Sequence, residues 1–402
     1  MKSTAAMAKG KRKTTGDTNP LQAIGSTVEG ERKRSSKCGT KIRPWSDLLP
    51  DILRLIVQRL YLGDRIRFQV VCKGWLHLPI TDIQPIEELP WIMNYAFTPT
   101  SSVCALFEPS RRLPHIDRSK SDLRKRSKLF LAKVCASRAG WVLFSKKAKE
   151  PVKITSYFVY NPLSKEIISL PNLKWPYCNE VATFSSAPTS SDCVFFVPHH
   201  YKDGRVFIST YSIGNIEWKT WEFSASHRPI QASGVVYLDG SFYIFTVQSM
   251  VGELTCFNIA TQECKSLMRY LSWINFPRPP SHFLVYGGHL CVVYLRDSDA
   301  GKPPQCTIFK FDWLNKAWIE MESLEGGAMF LGVISFGISA GEQTRMIANR
   351  VYYFSSNTPK FFTYGPASLG TKSASRVYRI PKVNDDSNES RIWIEPPPVK
   401  YS

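Results

Sequence analysis

The side chains whose types and spacing could do chemistry are His199-His200, with Asp192, Cys193 and Asp203 close by in sequence. Imidazole, thiol and carboxylate groups together could ligate a metal ion or form a Cys-His nucleophile pair. Adjacent histidines on an extended chain point to opposite faces, so the two cannot easily meet one ion. A loop hinge between strands is the stronger reading of this stretch. Ten cysteines stand at 38, 72, 104, 135, 178, 193, 256, 264, 291 and 306, and no two of them form C-x-x-C. Zinc sites need ligands clustered at short spacing, so no metal is expected. Isolated cysteines in apolar runs, such as Cys291 in Leu290-Cys291-Val292-Val293, read as small buried hydrophobes in a reducing compartment. No G-x-S-x-G, P-loop, H-E-x-x-H or G-x-G-x-x-G stretch occurs. The residues therefore predict neither an enzyme nor a bound cofactor.

Charge points the same way. Residues 1–43 carry eleven Lys/Arg against three acidic residues, so they hold +8 of the net +19. The remainder is only moderately basic, which makes nucleic acid an unlikely partner. The first 43 residues lack hydrophobic periodicity and are expected to be a disordered basic tail. Within it, Lys9, Lys11, Arg12, Lys13 and Arg32, Lys33, Arg34 are candidate nuclear-import signals, beside the plainer reading of a solvated tail. A plastid transit peptide is a rival reading of residues 1–16 that the dense Lys9–Lys13 cluster fits less well. A second basic run, Arg118, Lys120, Arg124, Lys125, Arg126 and Lys128, alternates with serines and could engage a phosphate, though a solvated loop is the stronger reading. No apolar secretory segment opens the chain, and the longest nearly apolar run, Met329–Ala340, is too short to span a bilayer. The expected location is nucleus, cytoplasm or both, with no membrane partner.

The elements that would position these residues change character along the chain. Leu48, Ile52, Leu55, Ile56 and Leu60 fall on one helical face, Pro50 suits a first turn, and Ser46 and Asp47 could offer capping oxygens. Gly63 breaks that helix; short helical segments then follow from Asp64 and through Cys72–Leu78, until Pro79. Three such helices bury little by themselves, so a partner covering their apolar faces is expected.

From about residue 83 the pattern is that of strands. A Gly-led strand recurs at Gly140-Trp141, Gly204-Arg205, Gly240-Ser241 and Gly288-His289, with Asn349-Arg350 in the equivalent place. Each of the first four precedes an aromatic residue, a turn and another strand: Tyr160-Asn161, Tyr211-Ser212, Phe257-Asn258 and Phe311-Asp312. Residues 83–402 would hold about six or seven propeller blades of 40–50 residues. A pair of β-sandwiches is the alternative.

Leu49-Pro50-Asp51, the apolar helix Ile52–Leu60, Asp64, and Val71-Cys72-Lys73-Gly74-Trp75 together resemble the F-box family. That resemblance implies a docking surface for the Skp adaptor of an SCF ubiquitin ligase, carried by Leu49, Pro50, Ile52, Leu53, Ile56, Val71, Cys72 and Trp75. Residues 130–365 look like the kelch-related F-box-associated domain of plant F-box proteins. The likeness rests on Gly140-Trp141, Asn161-Pro162-Leu163, Asp192-Cys193 and Tyr286-Gly287-Gly288-His289-Leu290. It also rests on Trp318–Leu324, Phe330-Leu331-Gly332 and Asn349–Phe354.

The expected fold is therefore α+β overall: a disordered tail (1–43), a three-helix F-box (44–82), a linker with first β elements (83–129), a mainly-β, kelch-like propeller (130–384) and a closing or flanking segment (385–402). The expected role is a non-catalytic substrate receptor, with the Skp adaptor and cullin core as partners and an unknown target protein held by loops of the β-domain. Arg296–Pro304 is the candidate target-binding insert. The alternative is a ligand-binding or enzymatic propeller whose N-terminal helices are structural.

Overall fold

The computed structural model describes residues 45–60, 64, 68, 71–76, 89–97, 102–109, 113–117, 128–148, 154–174, 181–200, 205–224, 232–248, 251–271, 281–296, 305–340, 347–355, 358–364, 375–376 and 390–396. The expected basic tail, with both import candidates, lies outside them. So do the 118–128 basic run except Lys128, and the 296–304 insert except Arg296.

The chain divides into two units, 1–47 and 48–402. Of the first, a 3-10 turn at Trp45–Asp47 is described. The second opens with α1 (Pro50–Gln58) and α2 (Lys73–Leu76). Asp64 and Phe68, between them, are helical. All other described elements are strands. The architecture is mainly β with few helices, which corrects the α+β expectation: among the described residues, helical conformation is limited to the stretch before the first strand and to Lys128 and Leu129, between β3 and β4. Among the described residues, no helix is long and apolar enough to cross a membrane.

The strands form six sheets. The first holds β1 (Ile92–Phe97), β2 (Ser102–Glu108) and β3 (Leu113–Asp117). The second holds β4 (Lys133–Arg138), β5 (Trp141–Lys147), β6 (Ile154–Tyr160), β7 (Ile167–Ser169) and β8 (Leu173–Lys174). The third holds β9 (Thr183–Phe184), β10 (Val194–His200), β11 (Arg205–Ser212) and β12 (Lys219–Ser224). The fourth runs β13 (Ala232–Leu238), β14 (Ser241–Gln248), β15 (Val251–Asn258) and β16 (Cys264–Leu271). The fifth runs β17 (His282–Tyr286), β18 (His289–Arg296), β19 (Gln305–Asp312) and β20 (Ala317–Glu320). The sixth holds β21 (Ala328–Leu331), β22 (Phe336–Ile338), β23 (Arg350–Ser355), β24 (Thr358–Thr363) and β25 (Ser375–Arg376).

The last strand, β26 (Ser390–Trp393), joins the first sheet and pairs antiparallel with β1. The chain's end thus supplies a strand to its first blade, closing the ring of a six-bladed β-propeller and covering an edge that would otherwise be open. β21 pairs in parallel with β23, which requires a crossover, and β22 lies on that connection.

Alternation along each strand explains how the blades pack. Side chains of one strand point to opposite sheet faces, and every sheet here has a neighbour on both sides. On β5, Leu143 joins Phe184, Phe195 and Tyr211 of the third sheet, while Val142 and Phe144 join Met93 and Ile392 of the first. On β14, Phe242 and Ile244 pack on Phe196, whereas Tyr243 and Phe245 pack with Leu290 and Val292. One apolar cluster fills each of the six interfaces.

The recurring aromatic-turn unit also has a cause. Tyr160, Phe257 and Phe311 are buried in those clusters, and the next residue holds the turn with its side chain. Asn161 Oδ1 accepts from Leu163 N and Ser164 N, Asn258 Oδ1 from Thr261 N, and Asp312 Oδ1 from Leu314 N. The turn ends in a left-handed residue, Lys165, Gln262 or Lys316. Gly204-Arg205 proves out of phase with the other Gly-led strands. Arg205 opens the third strand of its sheet, whereas Gly140, Gly240 and Gly288 precede the second, which accounts for the uneven spacing.

Candidate functional site: a helical docking face and a central channel

The N-terminal helices present two apolar edges that differ in what covers them. Leu53, Val57, Phe68 and Trp75 are buried together, with Leu48, Ile56, Leu60 and Cys72 half-buried around them. The rings of Phe68 and Trp75 stack at 4.2 Å. On the other edge Leu49 (64% exposed), Ile52 (43%), Leu55 (56%) and Val71 (62%) face outward, beside exposed Pro50. Among the positions that the F-box resemblance implied, Leu53 and Trp75 therefore sit in the small core. Ile56 and Cys72 lie at its margin, and Leu49, Pro50, Ile52 and Val71 lie on the surface. Leu55 is an addition: it stands one helical turn from Ile52, on the same exposed edge.

The N-cap residue itself is Leu49, in extended conformation, and its side chain makes no cap hydrogen bond. Pro50 at the first helical position has no N–H to satisfy, and Asp51 complements the positive end of the helix.

The second candidate is the propeller's central channel, a cavity of about 520 Å³. Its walls are β4, β9, β13, β17, β22 and Glu395, two residues beyond β26, so every blade contributes. At one mouth stand Arg138, Asp239 and Glu395, beside the turns that end β4 and β13. Arg138 Nη1 donates to Ser185 O at 3.0 Å and Nη2 to Tyr237 O at 3.3 Å. Its guanidinium also lies 5.4 Å from the Tyr237 ring centroid. One side chain thus ties the second, third and fourth blades together. Glu395 is held through its backbone: Gly140 N donates to Glu395 O at 2.8 Å, and Glu395 N donates to Ser137 Oγ at 3.0 Å. Burial pushes the Glu395 carboxyl pKa up, and nearby Arg138 opposes that in part. Deeper in the channel, burial lowers the His282 pKa to about 4, so the imidazole is neutral at pH 7. Its Nδ1 lies 3.0 Å from Ser335 Oγ.

Of the constellation that opened the sequence reading, Asp203 lies outside the described residues, and Asp192, Cys193 and His199 make separate contacts. His199 and His200 belong to β10 and are not a loop hinge; they pair with Phe207 and Val206 of β11, so the strand ladder claims the backbone. His199 is buried, with Nε2 3.0 Å from Ser209 Oγ. Asp192 instead accepts from Ser190 Oγ and Ser186 Oγ, which hold its pKa down. The Cys193 thiol is pushed up by burial. Burial likewise pushes Cys264 and Cys291 to about 12, far from a reactive thiolate. Among the described residues no group of three or more His, Cys, Asp or Glu side chains could hold a metal ion. Lys128, at the end of the second basic run, is exposed and donates to Ser169 Oγ.

A closed six-bladed ring that follows a short helical motif with an exposed apolar edge defines the class: a β-propeller preceded by a small helical element. Residues 111–379 match the family model described as the KIB1-4 beta-propeller, about two thirds of the chain. Curated relatives come from Arabidopsis thaliana. An F-box/kelch-repeat protein is 26% identical over 363 residues, covering 88% of this chain and 95% of that protein. An F-box protein is 27% identical over 313 residues, covering 75% of this chain and 76% of that one. Another F-box protein is 31% identical over 224 residues, 54% of this chain and 53% of its own length. The chain belongs to the KIB1-4 beta-propeller family, among plant F-box proteins with a propeller domain.

Proposed function

We propose that this chain is the substrate-recognition subunit of an SCF ubiquitin ligase. In this reading the N-terminal helices dock on the Skp adaptor, and the propeller holds a target protein near the cullin-bound conjugating machinery. The chain itself then needs no catalytic groups, because holding target and conjugating enzyme together accelerates the reaction by proximity. The observation that carries the reading is the exposed apolar edge Leu49, Ile52, Leu55 and Val71, set beside a core that these residues do not help to fill. Helix faces of this kind bury themselves in a partner's groove. Docking engages Leu49, Pro50, Ile52, Leu55 and Val71 directly, with Ile56 and Cys72 at the margin and Leu53 and Trp75 holding the helices in place. The basic stretches of the tail, Lys9–Lys13 and Arg32–Arg34, would serve nuclear import.

The test is a pull-down of a purified plant Skp adaptor by the full-length chain and by an Ile52→Asp, Leu55→Asp variant. Loss of adaptor binding with an unchanged melting temperature supports the reading. Full binding by the variant would sink it.

A further inference from the structure

The carboxyl of Glu395 lines the central channel and, among the described residues, has no hydrogen-bond or ion-pair partner. Its backbone N–H and carbonyl are both used in holding the closing segment to the second blade. Arg138, the nearest cation to influence it, has its donor fork directed at the carbonyls of Ser185 and Tyr237 and its plane against the Tyr237 ring. Glu395 is half-buried at the channel wall, and its surroundings disfavour the carboxylate charge more than Arg138 offsets. Asp239, exposed at the neighbouring turn, adds a second acceptor to the same mouth. His282, farther along the wall, is held neutral by burial and brings no counter-charge.

We propose that this mouth of the channel binds a single alkylammonium or guanidinium group, with Glu395 as its ion-pairing partner. A cation neutralises the carboxylate and fills its empty acceptor positions together, which a hydroxyl cannot do. An anion would meet two carboxylates, and the Arg138 guanidinium beside them already donates to Ser185 O and Tyr237 O. The cation can arrive on a free amine or on a lysine or arginine side chain of a captured protein. The site stands apart from adaptor docking, which is read by pull-down and not by ligand titration.

Ligand-observed NMR titration of the full chain with butylammonium and butylguanidinium tests it, with 1-butanol and butyrate as neutral and anionic controls. The cations bind and the controls do not; Glu395→Gln, with melting unchanged, weakens the cations by about tenfold or more. Equal binding of butanol, or a folded Glu395→Gln protein that binds the cations as before, overturns the site. Should that variant fail to fold, Asp239→Asn at the exposed turn decides, with about a threefold loss expected and unchanged affinity counting against the site. A blocked Gly-Gly-Lys-Gly-Gly peptide separates the sources. Tighter binding than butylammonium identifies a protein side chain, and no gain identifies a free amine.

Discussion

Trp393 lies opposite Ile92 in antiparallel register, which sets a strand from the chain's end beside one from the start of its propeller. Trp393 is fully buried, and its indole stacks on Phe354 at 5.0 Å and meets Phe330 edge-on at 5.2 Å. One residue thus joins the first and sixth blades. Trp393→Ala leaves a cavity at that seam and should cost about 3–5 kcal/mol. Urea unfolding followed by tryptophan-independent far-UV dichroism measures it. A loss below about 1 kcal/mol would show that the closing strand contributes little to holding the ring.

Leu53 and Leu55 are two residues apart on α1 and should behave oppositely. Leu53 is in the helical core, so Leu53→Ala should cost about 2–5 kcal/mol and loosen the helices. Leu55 is exposed, so Leu55→Ala should change stability by no more than about 0.5 kcal/mol. Hydrogen exchange of the α1 amides separates them, with protection lost in the first and kept in the second. Equal loss of protection in both would contradict the two-edged helix.

Much of this arrangement is visible in the residue order, and the reason is locality. The aromatic-Asx turns at Tyr160-Asn161, Phe257-Asn258 and Phe311-Asp312 are built from neighbours in sequence, so their pattern survives in it. The helical periodicity of Ile52–Leu60 shows which residues are apolar but not which edge is covered, because Leu53 and Leu55 are the same residue type. The channel could not be read. Glu395 N meets Ser137 Oγ across 258 residues, and neither belongs to a motif. His199-His200 misled for the converse reason: a reactive residue pair drew attention where strand pairing fixes the backbone.

Gly327 is predicted to resist even alanine. A Cβ there would sit 2.5 Å from Ile338 O, a backbone atom of β22, and would collide with the Tyr286 hydroxyl. Tyr286 is itself buried and donates to Leu324 O, so it has little room to withdraw. Gly327→Ala should therefore destabilise by about 1–3 kcal/mol. Gly240→Ala offers a comparison in which the strain comes from a positive φ of 78° and nothing lies within 4 Å. In a Gly327→Ala, Tyr286→Phe double variant part of the loss should return, since one colliding atom is gone. Melting temperatures of the three proteins decide it.

His282 makes stability depend on pH in a stated direction. Its pKa falls from 6.5 to about 4 on folding because burial disfavours the imidazolium. The unfolded chain therefore binds the proton more tightly. The contribution is fully present above pH 6.5, declines as pH falls through that value, and is gone below about 4. At about 1.4 kcal/mol per pKa unit, roughly 3 kcal/mol is at stake across that window. His282→Gln keeps a polar group near Ser335 but cannot titrate, so its stability relative to the native chain should improve steadily from pH 6.5 to 4. Glu395 has the opposite sign. Its pKa is raised by burial, so its contribution belongs to acid conditions and is lost as pH rises. Glu395→Gln should thus match or exceed the native chain in stability at pH 7, and urea midpoints of both variants across pH 4–8 check the two signs together. A His282→Gln difference that stays flat over this range would place the titration elsewhere.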